Sequence, residues 1–515
     1  MNGAQALIRT LVGSGVDVCF ANPGTSEMHF VAALDDVPEM RAVLGLFEGV
    51  VTGAADGYGR MAQRPAATLL HLGPGLGNGI ANLHNARRAR TPVVNVVGDH
   101  ATTHLAYDPP LASDIESLAR PVSRWFRSSL TAHALAADAV QAVHGAFGPP
   151  GGVATLVVPA DLSWQEAGEP TTSRPGPVLT TVDDDVVVGA AKALRSGEPA
   201  VLLVGGNAVR ERGLVAASRV ANATGAKLLC ETFPARVERG AGLPAVERLG
   251  YLAEFTIAQL QGAKHLVLAD AAAPVSFFAY PGVPGYLVPD GCVVHTLATG
   301  SDDVAGALEA LAEALGAPPG TATLEAPSRP DRPTGALNAQ SVAAAIGALL
   351  PEGAVVSDEG NTSGIFVSGA TAGAPRHDWL CLTGGAIGQG LPVATGAAVA
   401  CPDRRVLSLE ADGSAMYTLQ ALWTQVRESL DVTTVLLNNG SYAILELELS
   451  RVGAGDPGPR ARGMLDLKHP ELDFVALASG MGVPAVRATT ADEFTTQLDR
   501  ALSTPGPGLI EAVLR

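Results

Sequence analysis

The stretch from Leu407 to Tyr442 restricts the fold of this chain more than any other. It contains three consecutive segments. The first, Arg405 to Leu409, is apolar and β-branched; the second, Thr418 to Glu428, has apolar residues at helical spacing; the third, Thr433 to Leu437, is again apolar. This order predicts a strand–helix–strand unit. Asp412 follows the first strand and Asn439 follows the second. Because ligands of parallel sheets bind beyond the carboxyl ends of the strands, both side chains are predicted to meet at one edge.

The residue types at this edge indicate a metal and phosphate site. A carboxylate, an amide oxygen and a nearby backbone carbonyl suit Mg²⁺, which takes hard oxygen ligands and shares them with phosphates. Gly413 and Ser414 are predicted to open the helix, where backbone N–H groups favour a diphosphate. Taken singly, Asp-Gly-Ser is more often an ordinary turn and N-cap, and Asn-Asn-Gly a turn after a strand. The two motifs together, at this spacing, favour the metal and diphosphate site.

Composition excludes several classes of function. No apolar run reaches the roughly 18 residues of a membrane span, and the N-terminus has no basic region followed by an apolar segment, so we expect no signal peptide. A net charge of −17 argues against a general nucleic-acid binder. The five cysteines are scattered and lack CxxC spacing. They indicate buried thiols in a reducing cytoplasm, with neither a disulfide framework nor a zinc site.

The 515 residues predict about three domains. Alternating strand and helix patterns cover 1–165, 178–315 and 336–515, and Pro- and Gly-rich linkers separate them. Predicted strands of the first two sets are Val16 to Phe20, Arg41 to Leu46, Ala67 to Leu70, Pro92 to Val97, Val153 to Val158, Ala200 to Val204, Lys227 to Cys230, His265 to Ala269 and Cys292 to Thr296. The pattern predicts an α/β protein with three doubly wound parallel-sheet domains.

Two segments resemble the thiamine-diphosphate (ThDP) enzymes. Asp412-Gly413-Ser414 with Asn438-Asn439 resembles their diphosphate–metal motif, with Ala411 where the family usually has glycine. The segment Leu46 to Arg60 resembles the one that carries the family's cofactor-activating glutamate, here Glu48, although by itself Glu48 is an acid at a helix N-terminus that favours the helix dipole. The resemblance covers nearly the whole chain. It is closest to the decarboxylase/carboligase branch, which includes acetolactate synthase and benzoylformate decarboxylase.

The resemblance implies a different role for each domain. The first domain (1–165) binds the pyrimidine, 178–315 is the middle domain, and the third (336–515) binds the diphosphate and Mg²⁺. The active site lies between two subunits of a homodimer or dimer of dimers, with Glu48 and Asp412 from different chains. Further implied positions are Asn361, Thr362, Gly413 and Ser414 as diphosphate ligands, the Gly385 carbonyl as acceptor from the pyrimidine amino group, Ile387 as the wedge between the cofactor rings, and the Ser441 backbone oxygen as a metal ligand with Asp412 and Asn439.

The chemistry of the cofactor explains why Glu48 is expected to be catalytic. ThDP reacts through a carbanion on its thiazolium ring, which comes from a weak carbon acid. A carboxylic acid that is hydrogen-bonded to the pyrimidine ring nitrogen favours the imino tautomer. The imino nitrogen then removes the thiazolium proton within the same molecule, which is a proximity effect.

Substrate contacts are also implied by resemblance. Benzoylformate decarboxylase has a serine and a histidine where this chain has Ser26 and His71, and a near-neutral histidine suits proton transfer. The second active-site histidine of that enzyme has no counterpart here, and Tyr280 is the nearest polar candidate. Leu445 lies in an apolar segment that fits the wall of a pocket for a small aliphatic or aromatic 2-oxo acid. His100 and His104 are interpreted as surface loop residues.

The sequence therefore predicts a ThDP- and Mg²⁺-dependent enzyme that decarboxylates a 2-oxo acid and joins the acyl unit to a second carbonyl, as acetolactate synthase does. A simple decarboxylase of the benzoylformate type is the alternative, and an inactive homologue that serves as a binding or regulatory subunit is the alternative of another class. Acetolactate synthases also bind FAD through the middle domain. Here Val204-Gly205-Gly206 is weak evidence for a nucleotide, and we expect no FAD, no nucleic acid and no membrane partner.

Overall fold

Three separate β-sheets, each flanked by helices, organise the chain. The computed structural model describes residues 1–174, 176, 178–455 and 457–514. The sheets have six, five and seven strands, and the α/β fold predicted from the alternating pattern is confirmed. Within the described residues, no helix combines the length and apolar character needed to cross a bilayer.

The first sheet has the order β2-β1-β3-β4-β6-β5, and its paired strands are parallel. Its strands are β1 (Val18–Asn22), β2 (Arg41–Leu44), β3 (Ala66–Leu70), β4 (Val93–Asp99), β5 (Trp125–Ser128) and β6 (Val153–Pro159). Its helices are α1 (Gly3–Gly13), α2 (Met28–Ala33), α3 (Glu48–Ala62), α4 (Leu72–Ala89), α5 (Ile115–Ala119), α6 (Leu135–Phe147) and α7 (Ala160–Trp164). The prediction began the first strand two residues early and missed β5, whose side chains are only partly buried at the sheet edge.

The second sheet has the order β10-β8-β7-β11-β12. Strands of this part of the chain are β7 (Ala200–Val204), β8 (Lys227–Cys230), β9 (Val237–Arg239), β10 (Glu247–Arg248), β11 (His265–Ala269) and β12 (Val293–Ala298). The helices are α8 (Asp184–Leu194), α9 (Glu211–Thr224), α10 (Ala253–Leu260) and α11 (Val304–Ala314). The bounds of β7, β8 and β11 are those predicted, whereas β12 runs two residues further than expected.

The third sheet has the order β17-β18-β16-β15-β13-β14-β9. Its own strands are β13 (Val355–Glu359), β14 (His377–Cys381), β15 (Val406–Ala411), β16 (Val432–Asn438), β17 (Ala485–Ala488) and β18 (Gly508–Val513). The helices are α12 (Ala339–Leu349), α13 (Val367–Ala370), α14 (Gly390–Ala400), α15 (Asp412–Thr418), α16 (Ala421–Arg427), α17 (Ala443–Arg451), α18 (Pro459–Gly463), α19 (Phe474–Gly480) and α20 (Ala491–Ser503).

Two features of the third sheet differ from the prediction. Strand β9 comes from the middle of the chain and pairs antiparallel with β14, so one edge of this sheet is not parallel. The helix predicted to open at Gly413 and Ser414 and to continue over 418–428 is two helices, α15 and α16, that dock at different places. The Thr418 hydroxyl donates to the Gly388 carbonyl, and the Thr424 hydroxyl donates to the Leu44 carbonyl of the first sheet.

Helices α3 and α14 pack backbone against backbone and join the first unit to the third. A Cβ atom added to Gly57 would lie 2.1 Å from the Val393 carbonyl oxygen, and one added to Gly396 would lie 1.8 Å from the Ala54 carbonyl oxygen. Only glycine permits this approach. The contact therefore joins the helix that begins at Glu48 to the helix that follows Gly385 and Ile387.

Candidate active site

Glu48 is the first residue of α3, and its carboxylate is buried with 7% of the residue exposed. Its Oε2 accepts a hydrogen bond of 3.0 Å from the Asn78 Nδ2 of α4. A Cβ atom on Gly75 would lie 3.2 Å from the Glu48 Oε1, so glycine at this position leaves that oxygen room. Sequence analysis did not single out Asn78.

His71 faces the buried carboxylate of Glu27, a residue that the sequence did not single out. The Glu27 Oε2 lies 2.8 Å from the His71 Nδ1 and accepts the Gly24 N–H at 2.7 Å. The Glu27 Oε1 is buried and has no hydrogen-bond partner among the residues that the structure describes. Burial raises the pKa of Glu27, and the Gly24 N–H and the His71 imidazole oppose that rise. Because the Nδ1 is engaged, the Nε2 of His71 is the nitrogen left for a ligand.

The backbone beside His71 is strained. Leu72 is fully buried and has φ of +50°, a left-handed conformation that leucine rarely adopts. Such strain persists where surrounding contacts hold it and is frequent at functional sites. Ser26 is half-buried in a short 3-10 turn, Thr25–Glu27, and it is Glu27 from this turn that bonds to His71.

His100 and His104 follow β4, the strand beside β3, so they lie near the same sheet edge as His71. His104 is exposed, which agrees with its interpretation as a surface residue. His100 is partly buried, its ring centroid lies 5.7 Å from that of His104, and its Nε2 is buried without a partner in the described part of the chain. The sequence could not show that His100 is more buried than His104, because both are polar residues of the same loop.

Asp412 and Asn439 follow the neighbouring parallel strands β15 and β16. Asp412 is 3% exposed; its Oδ1 accepts the Gly413 N–H at 2.8 Å and its Oδ2 accepts the Gly440 N–H at 2.7 Å. The Asn439 Oδ1 accepts the Ser441 N–H at 2.9 Å. Burial raises the pKa of Asp412, and a cation would offset that cost. Carboxylate and amide oxygens are of the donor types that Mg²⁺ takes.

Two of the predicted diphosphate residues, Asn361 and Ser414, meet at the start of α15. The Asn361 Nδ2 donates to the Ser414 Oγ at 3.0 Å, although the two come from different strand ends. Asn361 has φ of +45°, and Thr362 beside it is exposed. A Cβ atom on Gly413 would lie 2.4 Å from the Tyr442 ring, so this position requires glycine.

Two carboxylates, Glu359 and Glu410, lie beside the loop that holds Gly385 and Ile387, and the sequence did not indicate that they would pair. Glu359 and Glu410 are register partners on β13 and β15, and each is 1% exposed. The Glu359 Oε1 accepts the Gly388 N–H at 2.8 Å and the Oε2 accepts the Gly390 N–H at 2.5 Å. Burial raises the pKa of both acids. Gly385 in the loop has φ of +74° and is exposed, and Ile387 is half-buried.

Tyr280 and Leu445 both lie at helix α17. The Tyr280 hydroxyl donates to the Glu448 Oε2 at 2.7 Å, and the Arg451 guanidinium lies 4.4 Å from the centre of the Tyr280 ring. Leu445 is 46% exposed on the same helix. Tyr280 is therefore hydrogen-bonded to α17, whereas the Leu445 side chain is exposed.

The comparisons with known proteins agree with this geometry. Residues 1–118 match the family model "Thiamine pyrophosphate enzyme, N-terminal TPP binding domain", and residues 358–512 match the C-terminal TPP binding domain of the same enzymes. Thiamine pyrophosphate is thiamine diphosphate. The chain is 60% identical over 515 residues to the Mycobacterium tuberculosis protein named "Putative acetolactate synthase large subunit IlvX", covering 100% of this chain and 99% of that protein.

Two decarboxylases are also similar. The benzoylformate decarboxylase of Pseudomonas aeruginosa is 32% identical, and the match covers 96% of each chain. The solved structure of the ThDP-dependent 4-hydroxybenzoylformate decarboxylase of Rhodococcus jostii superposes with a TM-score of 0.87 at 26% identity, over 100% of this chain and 99% of that one. The chain belongs to the thiamine-diphosphate-dependent enzyme family that includes acetolactate synthase and benzoylformate decarboxylase.

Proposed function

We propose that this protein is a ThDP- and Mg²⁺-dependent enzyme that decarboxylates a 2-oxo acid and joins the acyl unit to a second carbonyl. Two buried acids carry the proposal: Glu48 at the start of α3 in the first unit, and Asp412 beside Asn439 at the strand edge of the third unit. When bound, ThDP supplies the nucleophilic carbon and the electron sink for loss of CO₂. The remaining steps fall to the residues of the chain.

Each half of the site holds one end of the cofactor in this proposal. Glu48 holds a proton toward the pyrimidine ring nitrogen, and Asn78 orients its carboxyl group. Asp412, Asn439 and the Ser441 backbone oxygen hold Mg²⁺. Asn361, Thr362, Gly413 and Ser414 hold the diphosphate, while Gly385 and Ile387 contact the rings.

His71, Ser26, Tyr280 and Leu445 are proposed to act on the substrate. Glu27 fixes the His71 ring through Nδ1, so the Nε2 can hold or move a proton at the substrate carboxylate or at the product. Ser26 precedes Glu27 and supplies a hydroxyl. The exposed Leu445 gives α17 an apolar face for a small aliphatic or aromatic side chain.

The site is proposed to lie between two copies of the chain, in a homodimer or a dimer of dimers. Large apolar side chains adjoin the predicted diphosphate residues and are exposed, namely Ile365 (66%), Phe366 (47%), Met416 (41%) and Tyr417 (52%). Clustered exposed apolar groups of this size indicate a protein interface. A second copy that covered them would also bring its own Glu48.

The second sheet supports the expectation that FAD does not bind. In the second sheet, β8 lies on one side of β7 and β11 lies on the other. The strand order therefore reverses between β7 and β11, and nucleotides bind at this switch point in sheets of this type. There the Gly206 N–H donates to the Glu231 Oε1 at 3.0 Å and the Asn207 N–H donates to the Asp270 Oδ2 at 3.1 Å. Carboxylates of the chain occupy the N–H groups that a phosphate would use. Protein purified without added flavin should show no absorbance near 450 nm.

A simple 2-oxo acid decarboxylase is the second candidate. The His71–Glu27 pair favours it, since a positioned imidazole can protonate the product. Incubation with ThDP, Mg²⁺ and pyruvate, benzoylformate or a branched 2-oxo acid separates the candidates. A carboligase releases CO₂ with a ketol product, whereas a decarboxylase releases CO₂ with an aldehyde.

A Glu48→Gln variant tests the mechanism common to both. It should lower kcat by about 10²–10⁴-fold, since it removes the carboxylic acid that would hydrogen-bond to the pyrimidine nitrogen of ThDP. Glu39→Gln, on an exposed acid of the same domain, should leave kcat unchanged. Full turnover by the Glu48 variant would contradict the mechanism. A wild-type chain that neither binds ThDP nor releases CO₂ would favour the inactive, regulatory homologue.

A further inference from the structure

Helix α4 carries two buried asparagines that the proposed chemistry does not use. Asn82 is 2% exposed and Asn85 is fully buried. They lie on one face of the helix, and the Asn85 Nδ2 donates to the Asn82 Oδ1 at 2.9 Å. Both amides point from the first unit of the chain to the glycine loop, 384–388, of the third unit.

Asn85 forms a reciprocal pair of hydrogen bonds with the backbone of the glycine loop. Its Nδ2 donates to the Ala386 carbonyl at 2.8 Å, and its Oδ1 accepts the Ala386 N–H at 3.2 Å. A Cβ atom on Gly384 would lie 2.4 Å from the Asn85 Oδ1, so the loop approaches as closely as glycine allows. Thr383, just before the loop, donates its hydroxyl to the Asn85 carbonyl at 2.8 Å.

Asn82 contacts the first and third units of the chain through one amide group. Its Nδ2 donates to the Gly49 carbonyl, next to Glu48, at 2.8 Å, and to the Gly388 carbonyl at 3.2 Å. One amide group thus contacts the backbone beside the catalytic acid and the last residue of the glycine loop.

These contacts leave the glycine loop little freedom. Ala386 and Gly388 are held from the first unit by Asn85 and Asn82, and Gly388 is held from below by Glu359. A buried amide or carbonyl that loses its partner is costly, so separating the loop from α4 is unfavourable. Gly385 and Ile387, between the fixed points, are left to contact a ligand.

We propose that Asn82 and Asn85 are positioning residues for the cofactor. They hold the glycine loop in the shape that receives ThDP, so the affinity of the diphosphate-binding half depends on helix α4 of the first domain in the same chain. This rests on the proposed roles of Gly385 and Ile387. Neither asparagine is a catalytic residue, since each acts through the loop backbone.

The test is a calorimetric titration of ThDP into the full-length apoprotein with saturating Mg²⁺. Asn82→Ala and Asn85→Ala should each raise the Kd of ThDP about 10-fold or more, because each removes buried hydrogen bonds to the loop. Asn85→Asp keeps an acceptor for the Ala386 N–H but cannot donate to the Ala386 carbonyl. Asn85→Asp should also weaken the binding of ThDP, and it preserves the packing around position 85 better than alanine does.

Asn95 provides the matched control. It is fully buried on β4, its Oδ1 accepts from the Thr68 hydroxyl at 2.7 Å, and its Nδ2 donates to the Thr155 hydroxyl at 3.0 Å. Asn95→Ala should lower the Tm as Asn85→Ala does but leave the Kd of ThDP unchanged. If the Asn82 and Asn85 variants lower the Tm and keep the wild-type Kd, the asparagines are structural only and the inference is overturned. Failure of the wild-type protein to bind ThDP would instead overturn the proposed function itself.

Discussion

The buried ion pair between Asp56 and Arg60 should be among the most sensitive points of the molecule. The two side chains are 0% and 1% exposed, and Arg60 binds both carboxylate oxygens, through Nε at 2.9 Å and Nη2 at 2.5 Å. The same guanidinium donates from Nη1 to the Cys381 carbonyl at 2.7 Å and from Nη2 to the Thr383 hydroxyl at 3.0 Å, beside the glycine loop. Helix α3 is thereby attached to the third sheet.

Asp56→Asn removes the charge and keeps the shape. It leaves a guanidinium buried without its counter-ion, and breaking such a pair costs about 3–5 kcal/mol. For a cooperative unit of about 150–250 residues, each kcal/mol shifts the Tm by about 2–4 °C, so the expected fall is about 6–20 °C. The free energy of unfolding from urea titration and the Tm from a thermal scan measure the effect.

Asp17→Asn is the control, because Asp17 pairs with Arg64 at 2.7 Å near the end of the same helix and both side chains are about 40% exposed. An exposed pair contributes only about 0–1 kcal/mol. Equal losses of stability in the Asp56 and Asp17 variants would refute the argument that burial makes the first pair costly to break.

Three further outcomes are expected. Gly413→Ala places a Cβ atom 2.4 Å from the Tyr442 ring and should raise the Kd of ThDP about 10-fold. The double variant Gly413→Ala/Tyr442→Ala should recover part of the lost affinity. An unchanged Kd in calorimetry would rule out the tight fit at Gly413. EDTA should abolish turnover and Mg²⁺ should restore it, and activity that survives EDTA would remove the metal assignment. Burial raises the pKa of Glu231 from 4.5 to about 7, so the folded state binds this proton more tightly than the unfolded state. Stability should fall by up to about 3 kcal/mol as pH rises from about 4.5 to 7, and Glu231→Gln should flatten that slope in urea titrations.

The pattern of alternating strands and helices was sufficient to predict the α/β class, because a buried parallel strand is a short apolar run that sequence displays directly. It was also sufficient to bring Asp412 near Asn439, since the ends of adjacent parallel strands share an edge. The bounds were less accurate. The break between α15 and α16 arises from separate docking of Thr418 and Thr424, which apolar spacing along one segment does not encode.

Side-chain partners distant in sequence were not predictable. Glu27 was visible only as one acid in a loop, and its contact with His71 requires β1 and β3 to be neighbours. Asn82 and Asn85 look like ordinary polar residues of a helix. Their role becomes visible only when the glycine loop, some 300 residues later, lies against them.

The family, the α/β class and the segments that resemble cofactor motifs can be predicted from the residues alone, because each depends on short segments whose spacing is set by the local backbone. The partners of the buried polar groups are known only from the folded chain: Glu27 with His71, Glu359 with the Gly388 N–H, and Asp270 with the Asn207 N–H. The physical reason is that a buried polar group must find a partner wherever packing brings one, and packing is a property of the whole chain.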